Sequence, residues 1–329
     1  NLDILKLSLA LLILLRHIGQ VFYANNEFWR IYVINTISTV GVTTFFIISG
    51  FLFFQKAVNE ERLKKQIFRI LKLYGVWIIA YFPINMYSYW KEEMSISQMV
   101  LDFIKKTIFS GSYYHLWYLP SLIIALYIVY VLGKKYNNKR ILTLTGILMI
   151  IGILTNTYTV FLPDVVDKIY LRYCDIFLTS RNGLFMGAFL VAVGKSISDY
   201  TKKRKDIRIF LPLLIISILA LYGQGIWLSN HNNGGIINIA FTTVAVATFL
   251  ALIFIVELPQ IRVKPKLRNL STLIYCCHPW IIFIVGLTDH FGILLNTGLK
   301  AVLTLILTIM VSWVVVKLDE KIKVFKILM

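Results

Sequence analysis

The first apolar stretch of the chain covers residues 4–24 and reads ILKLSLALLILLRHIGQVFYA. At about 1.5 Å per residue, a helix of this length crosses the roughly 30 Å hydrocarbon core of a bilayer. The stretch is too long for the apolar region of a signal peptide, it contains Lys6 and Arg16, and no small-residue cleavage pattern follows it. We therefore expect it to be retained as a membrane-spanning helix.

Stretches of this kind recur along the whole chain of 329 residues, which is 58% hydrophobic and only 15% charged. A soluble domain carries about a quarter charged residues. The sequence therefore predicts an all-α polytopic membrane protein, folded as a single domain over residues 1–329 with about ten transmembrane helices. The predicted spans lie near residues 4–24, 36–55, 70–90, 116–133, 140–162, 181–195, 207–228, 235–256, 270–288 and 296–317.

The charge is strongly one-sided, with 34 Lys and Arg against 16 Asp and Glu and a net charge of +18. With the amino terminus inside, 24 of the basic residues fall in cytoplasmic segments and six fall in outside loops. Such an excess predicts that both termini are cytoplasmic. A basic surface facing anionic lipid explains the net charge, so we expect no nucleic-acid partner.

The three cysteines do not form a framework. Cys276 and Cys277 are adjacent within the ninth predicted span, and Cys174 is isolated in an outside loop. This spacing implies neither a disulfide network nor a metal site. We accordingly expect no metal ligands in this chain.

The first span contains three residues that a lipid environment disfavours, Lys6, Arg16 and His17. Lys6 and His17 are eleven positions apart, so on a helix they share one face about 16 Å apart along the axis. Ionisable groups inside a membrane are candidates for function. In the structural alternative, Lys6 reaches the inner interface, Arg16 binds polar groups in the bundle and His17 makes an interhelical hydrogen bond.

A second set of candidates stands at the outer start of the fourth span, which reads HLWYLP over residues 115–120. Trp117 and Tyr118 are typical of the aromatic belt at a membrane interface, a role that needs no ligand. His115 can transfer a proton or bind a polar substrate at the outer rim.

Two further spans carry polar groups. The sixth begins with Arg181 and Asn182, which either anchor the helix at the interface or bind an anionic or polar ligand. In the ninth, Tyr275 and His278 are three residues apart and share one helix face, and Pro279 frees a backbone carbonyl there.

Together these segments resemble acyltransferase family 3, a family of bacterial membrane acyltransferases with ten membrane helices. The family's first helix carries an arginine, ten intervening residues and a histidine; here His17 matches and Lys6 stands in place of the arginine. The other matching segments, in order, are FFIISGFLF over 45–53, HLWYL over 115–119, RNGLF over 181–185 and IYCCHP over 274–279.

The resemblance implies transfer of an acyl group, usually acetyl, from cytoplasmic acyl-CoA to a hydroxyl of a cell-envelope glycan or related acceptor outside the cytoplasmic membrane of a bacterium. It implies no tightly bound cofactor. His17 would act as general base or transient acyl carrier. Lys6 would attract the CoA phosphates, and Arg16 would keep the neighbouring imidazole neutral.

On the acceptor side, Arg181 and His115 would stabilise the oxyanion or hold the acceptor. The substrate-binding prediction comprises His115, Trp117, Tyr118, Arg181, Asn182, Tyr275 and His278.

A transporter is the main alternative. The same membrane fold is similar to the amino-terminal half of the membrane serine racemases of vancomycin-resistant bacteria, where it is associated with moving serine inward. Those proteins continue into a soluble racemase domain, whereas this sequence ends at Met329 after a basic tail. On that ground we expect a free-standing enzyme.

Overall fold

A computed structural model describes residues 1–201, 210–231, 237–257, 266–293, 295–322 and 327–329 of the chain. Within these ranges the regular secondary structure is helical and contains no strand. The α-helices in chain order are α1 (Leu2–Phe22), α2 (Val40–Phe54), α3 (Glu60–Lys91), α4 (Ile96–Lys105), α5 (Tyr118–Lys135), α6 (Asn138–Thr157), α7 (Asp164–Phe177), α8 (Ala188–Thr201), α9 (Phe210–His231), α10 (Phe241–Leu252), α11 (Lys266–Gly286) and α12 (Thr297–Asp319).

Short π-helices and 3-10 helices adjoin several of these elements. The π-helices are Trp29–Ile34, Lys106–Ser110, Gly183–Gly187 and Ile253–Glu257, and the 3-10 helices are Ile37–Thr39 and Thr159–Phe161.

Among the described residues, eight helical segments are long and apolar enough to cross a membrane. The prediction of an all-helical polytopic membrane protein is therefore confirmed. Two of the ten predicted spans coincide with shorter helices. In the span predicted at 181–195, α8 follows the π-helix Gly183–Gly187, and in the one predicted at 235–256, α10 begins only at Phe241. The count of ten and the cytoplasmic termini stay predictions.

The chain divides into two compact units, of which the first comprises residues 1–45 and 204–329. Helix α1 packs along α11 and α12, and α9 packs along α10. The buried core between α1 and α11 includes Ala10, Leu14 and Ile18 on α1 with Ile274 and Ile282 on α11. This apolar packing holds α1 beside the helix that carries the second histidine of the candidate site.

The second unit comprises residues 46–203 and contains most of α2 together with α3 to α8. Here α2 lies directly against α8, because a Cβ added to Gly50 would stand 2.5 Å from the Val191 carbonyl oxygen. A Cβ added to Gly194 would stand 2.1 Å from the Ile47 carbonyl oxygen. Small residues that let membrane helices approach in this way explain Gly50 as a packing residue.

Candidate functional site

In the first unit, His17 on α1 faces His278 on α11. Their imidazole rings are stacked, with centroids 5.1 Å apart and an interplanar angle of 17°. His278 is completely buried and His17 is half-buried. Two residues that are far apart in sequence thus form one buried imidazole pair in the helix core.

The Nδ1 atom of each histidine has a hydrogen-bond partner. His17 Nδ1 lies 2.9 Å from Gln20 Oε1, and His278 Nδ1 lies 2.9 Å from the Ile274 carbonyl oxygen. Because a backbone carbonyl oxygen only accepts hydrogen bonds, the His278 ring donates from Nδ1, and Nε2 is the basic nitrogen of the neutral His278 imidazole. Nδ1 of His17 is bound by the side-chain amide of Gln20.

Arg16 is buried beside His17 and points to other parts of the first unit. Its Nη1 donates to the Ile34 carbonyl oxygen and to Ser38 Oγ at 3.4 Å. Its Nη2 donates to the Ile237 carbonyl oxygen at 2.9 Å and to Asn238 Oδ1 at 3.4 Å. The guanidinium therefore ties α1 to the chain that leads into α2 and to the chain that leads into α10.

Asn35 is a buried residue of this network that our sequence reasoning missed. Its Oδ1 accepts from the Ile237 backbone N–H at 2.9 Å, and its Nδ2 donates to Ser229 Oγ at 3.3 Å. Arg16 and Asn35 thus hold the carbonyl and the N–H of the same residue. The signal available in the sequence was an asparagine immediately before an apolar span.

Lys6 and Tyr275 complete the predicted set in this unit. Lys6 Nζ lies 4.0 Å from Asp3 Oδ1, and the lysine side chain is 14% exposed. The Tyr275 ring lies 6.4 Å from the His278 ring and 6.4 Å from the Phe45 ring, measured between centroids. Tyr275 therefore extends the imidazole pair with an aromatic wall, while Lys6 lies near the start of α1.

In the second unit, the His115 side chain is buried among tyrosines. Its ring centroid lies 5.0 Å from that of Tyr81, 5.9 Å from Tyr113 and 5.7 Å from Tyr114. The loop reaches this position through Gly111, whose φ of +87° suits glycine and whose added Cβ would lie 2.4 Å from the Trp117 amide nitrogen. Burial raises the pKa of Tyr113, so its hydroxyl stays neutral.

The same unit brings together Trp117 and Arg181. The Arg181 guanidinium carbon lies 4.9 Å from the centroid of the Trp117 ring, the geometry of a cation–π contact. The hydroxyl oxygens of Tyr118 and Ser49 are 2.8 Å apart.

Asn182 caps the π-helix Gly183–Gly187 that follows it. Its Oδ1 accepts from the backbone N–H groups of Leu184 at 3.0 Å and Phe185 at 3.1 Å. Its Nδ2 donates to the Tyr173 hydroxyl at 2.8 Å. The amide thereby fixes the segment that carries Arg181.

These features define a multi-pass membrane protein whose helix core contains polar side chains. The model of an acyltransferase domain family, acyltransferase family 3, matches residues 1–317, so the chain belongs to this family. The family prediction is confirmed.

Two curated relatives, both described as amino-acid racemases of Enterococcus faecalis, are similar to this chain. One is 25% identical over 300 residues, which cover 88% of this chain and 42% of the relative. The other is 31% identical over 217 residues, which cover 64% of this chain and 30% of the relative. The chain thus spans less than half the length of these relatives. No solved structure matches it.

Proposed function

We propose that this protein is a membrane O-acyltransferase that moves an acyl group, in the first instance acetyl, from cytoplasmic acyl-CoA to a hydroxyl of a cell-envelope polysaccharide or related acceptor. The family of the chain supports acyl transfer. The bundle would cross the bacterial cytoplasmic membrane ten times with both termini inside, as the 24 inner basic residues against six outer ones favour.

The imidazole pair is the observation that carries the proposal. The proposed reaction places the proton of neutral His17 on Nδ1, which Gln20 binds, so that Nε2 acts as a base or a nucleophile. His278 stacks on the same ring and restricts its rotation. A positioned base is what the attack of an alcohol on a thioester requires.

In the general-base route, His17 Nε2 takes the proton of the acceptor hydroxyl while the hydroxyl oxygen attacks the thioester carbonyl. The tetrahedral intermediate then expels the CoA thiolate, which receives the proton from the imidazolium. In the covalent route, Nε2 attacks the thioester carbonyl, the carbon–sulfur bond breaks, and the CoA thiolate takes the Nδ1 proton of the acyl-imidazolium. The acceptor hydroxyl oxygen then attacks the acyl carbon, the bond from that carbon to Nε2 breaks, and the hydroxyl proton returns to the imidazole.

The other residues would act around this step. Lys6, near the start of α1, would attract the CoA phosphates from the cytoplasmic side, and Arg16 would fix the rotation of α1. The acceptor-binding residues of the second unit would be His115, Trp117, Tyr118 and Arg181, with Asn182 positioning Arg181. Those of the first unit would be Tyr275 and His278 beside His17.

The test uses purified protein in liposomes with labelled acetyl-CoA and a glycan acceptor. Wild type should produce acylated acceptor, and His17→Ala should abolish transfer while remaining folded in the membrane. His290→Ala is the matched control, because His290 is exposed and outside the site.

Three results separate the alternatives. A labelled acyl-histidine on His17 would favour the covalent route, and acceptor labelling without it the general-base route. Persisting transfer by His17→Ala would overturn the assignment. Uptake of labelled serine without any acyl turnover would identify a transporter.

A further inference from the structure

Two short helices of the second unit, α4 and α7, each follow a helix that is long and apolar enough to cross a membrane, α3 and α6 respectively. Helix α4 lies between α3 and α5 in sequence, and α7 lies between α6 and α8. Two candidate spans, α5 and α6, separate them. Because two crossings return the chain to its starting side, α4 and α7 lie on the same side of the membrane whichever way the protein is inserted.

Helix α4 has one packed face and one exposed apolar face. On the packed face, the Phe103 ring meets the Phe82 ring edge-on at 5.6 Å and Asp102 accepts from the Tyr89 hydroxyl at 2.7 Å. The outward face carries Ile96, which is 80% exposed, together with Val100 and Ile104 at i, i+4 and i+8. The helix is therefore anchored on α3 while its aliphatic side chains point away from the protein.

Helix α7 repeats this arrangement. Val165 and Ile169 are 68% and 64% exposed, and Ile176, two turns after Ile169 on the same helix face, is exposed as well. Arg172 lies on the same stripe and is exposed as well. At the border of this stripe, the Tyr173 ring meets the Phe185 ring edge-on at 5.7 Å.

The two helices contact each other through their carboxyl-terminal ends. Lys105 Nζ donates to the Asp175 carbonyl oxygen at 3.0 Å, and the rings of Phe109 and Phe177 meet edge-on at 5.2 Å. Helices α4 and α7 are therefore neighbours within the second unit. We call their exposed aliphatic side chains together the interfacial face and define it by Ile96, Val100, Ile104, Val165, Ile169 and Ile176.

We propose that the interfacial face binds the lipid surface, with α4 and α7 lying in the headgroup layer and their aliphatic side chains at the headgroup–acyl boundary. With the adjoining π-helix Lys106–Ser110, the helical segment that contains α4 has 10 plus 5 residues, and α7 has 14 residues. Both are shorter than the roughly 20 residues that a helix needs to cross the hydrocarbon core. Their exposed apolar stripes are those of helices that lie in the plane of an interface.

The positive charge of Arg172, which lies next to the interfacial face, also favours contact with lipid headgroups. Arg172 can place its methylene groups along the acyl boundary and its guanidinium among lipid phosphates. Lipid contact at α7 would also help to position the π-helix Gly183–Gly187, because Asn182, which caps that helix, donates a hydrogen bond to the Tyr173 hydroxyl. The inference does not depend on the proposed acyl transfer.

The test measures the membrane depth of single labelled cysteines. In a background with Cys174, Cys276 and Cys277 replaced by alanine, the variants V100C, I104C, I169C and I176C carry a fluorescent label, and Gln98→Cys and Asp167→Cys serve as controls on the polar sides of the same helices. Each protein is placed in vesicles of phosphatidylethanolamine and phosphatidylglycerol. Two positions on each helix keep the test decisive if one variant fails to fold.

We expect labels on the interfacial face to be quenched several-fold more by lipids with a nitroxide near the headgroup than by aqueous iodide, with the reverse order at positions 98 and 167. Equal iodide quenching at both sets would overturn the proposal. Strongest quenching by a nitroxide at the acyl-chain end would also overturn it, by placing the helices in the hydrocarbon core. Loss of lipid quenching as protein density rises would assign the face to a second copy of the chain.

Discussion

His17 in the first unit and His115 in the second are held in opposite ways. His17 is oriented by a hydrogen bond to a side-chain amide and by a stacked second imidazole. His115 is enclosed by three tyrosine rings that meet it largely edge-on. The first environment orients an imidazole, and the second defines a shape lined with aromatic faces, which suits a sugar ring. Histidines that look equivalent in the sequence therefore serve different candidate tasks, chemistry and binding.

The largest expected effect comes from separating these two histidines by kinetics. His17→Ala should abolish measurable transfer, because a positioned general base usually contributes about 10²–10⁴ to kcat. His115→Gln should instead raise the KM for the acceptor with a much smaller change in kcat. Initial rates measured against acceptor and acetyl-CoA concentration would distinguish the two, and an equal loss of kcat in both variants would remove the contrast.

Replacement of Arg16 and replacement of Arg181 should destabilise the protein to different extents. Arg16→Met removes the guanidinium donor of the Ile237 carbonyl, at about 1–3 kcal/mol for a group left unsatisfied, whereas the Ile34 carbonyl still accepts from Ser38 Oγ. Arg181→Met removes a cation–π contact with Trp117 worth about 0.5–2 kcal/mol. Thermal unfolding in detergent should therefore show a larger decrease in Tm for Arg16→Met than for Arg181→Met. A larger decrease in Tm for Arg181→Met would contradict the role of Arg16 in holding α1 to the segments before α2 and α10.

Arg16 and Asn35 should also be coupled, because they bind opposite groups of one residue, Ile237. We expect the Asn35→Leu and Arg16→Met losses in unfolding free energy to be non-additive by about 0.5–3 kcal/mol. The measurement is a double-mutant cycle of thermal unfolding. Additive losses would mean that the two side chains stabilise the segment before α10 independently.

The smallest effects concern the two ends of α2. An added Cβ at Gly50 meets the Val191 backbone at 2.5 Å, whereas one at Gly41 meets the Ile13 side chain at 2.7 Å. We expect Gly50→Ala to destabilise by about 1–3 kcal/mol, and Gly41→Ala by less, because a side chain yields more easily than backbone.

Gly75→Ala provides the control for these two variants. Nothing lies within 4 Å of a Cβ added at Gly75 in α3. This substitution should stabilise the helix by about 0.5–1 kcal/mol. Destabilisation of Gly75→Ala in the same assay would show that the effect at Gly50 is not specific to its contact with α8.

The interruptions of the helices were less accessible to sequence reasoning than the helices themselves. The span predicted at 235–256 begins as a helix only at Phe241, because the backbone of Ile237 is bound by Arg16 and Asn35 from another part of the chain. Hydropathy averages apolar character over a window and contains no information on such partners. Likewise, the Asn182 cap sets the start of the π-helix Gly183–Gly187.

The sequence by itself determined the helical membrane class and the family, since the length of an apolar run and the local order of its polar residues are properties of the chain alone. It also singled out His17 and His278 as polar groups in apolar helices. Only the tertiary structure decided that the two imidazoles stack and which groups their Nδ1 atoms meet. The physical reason is that ring stacking and tautomer depend on neighbours at ångström distances, which the packing of α1 on α11 brings together from opposite ends of the chain.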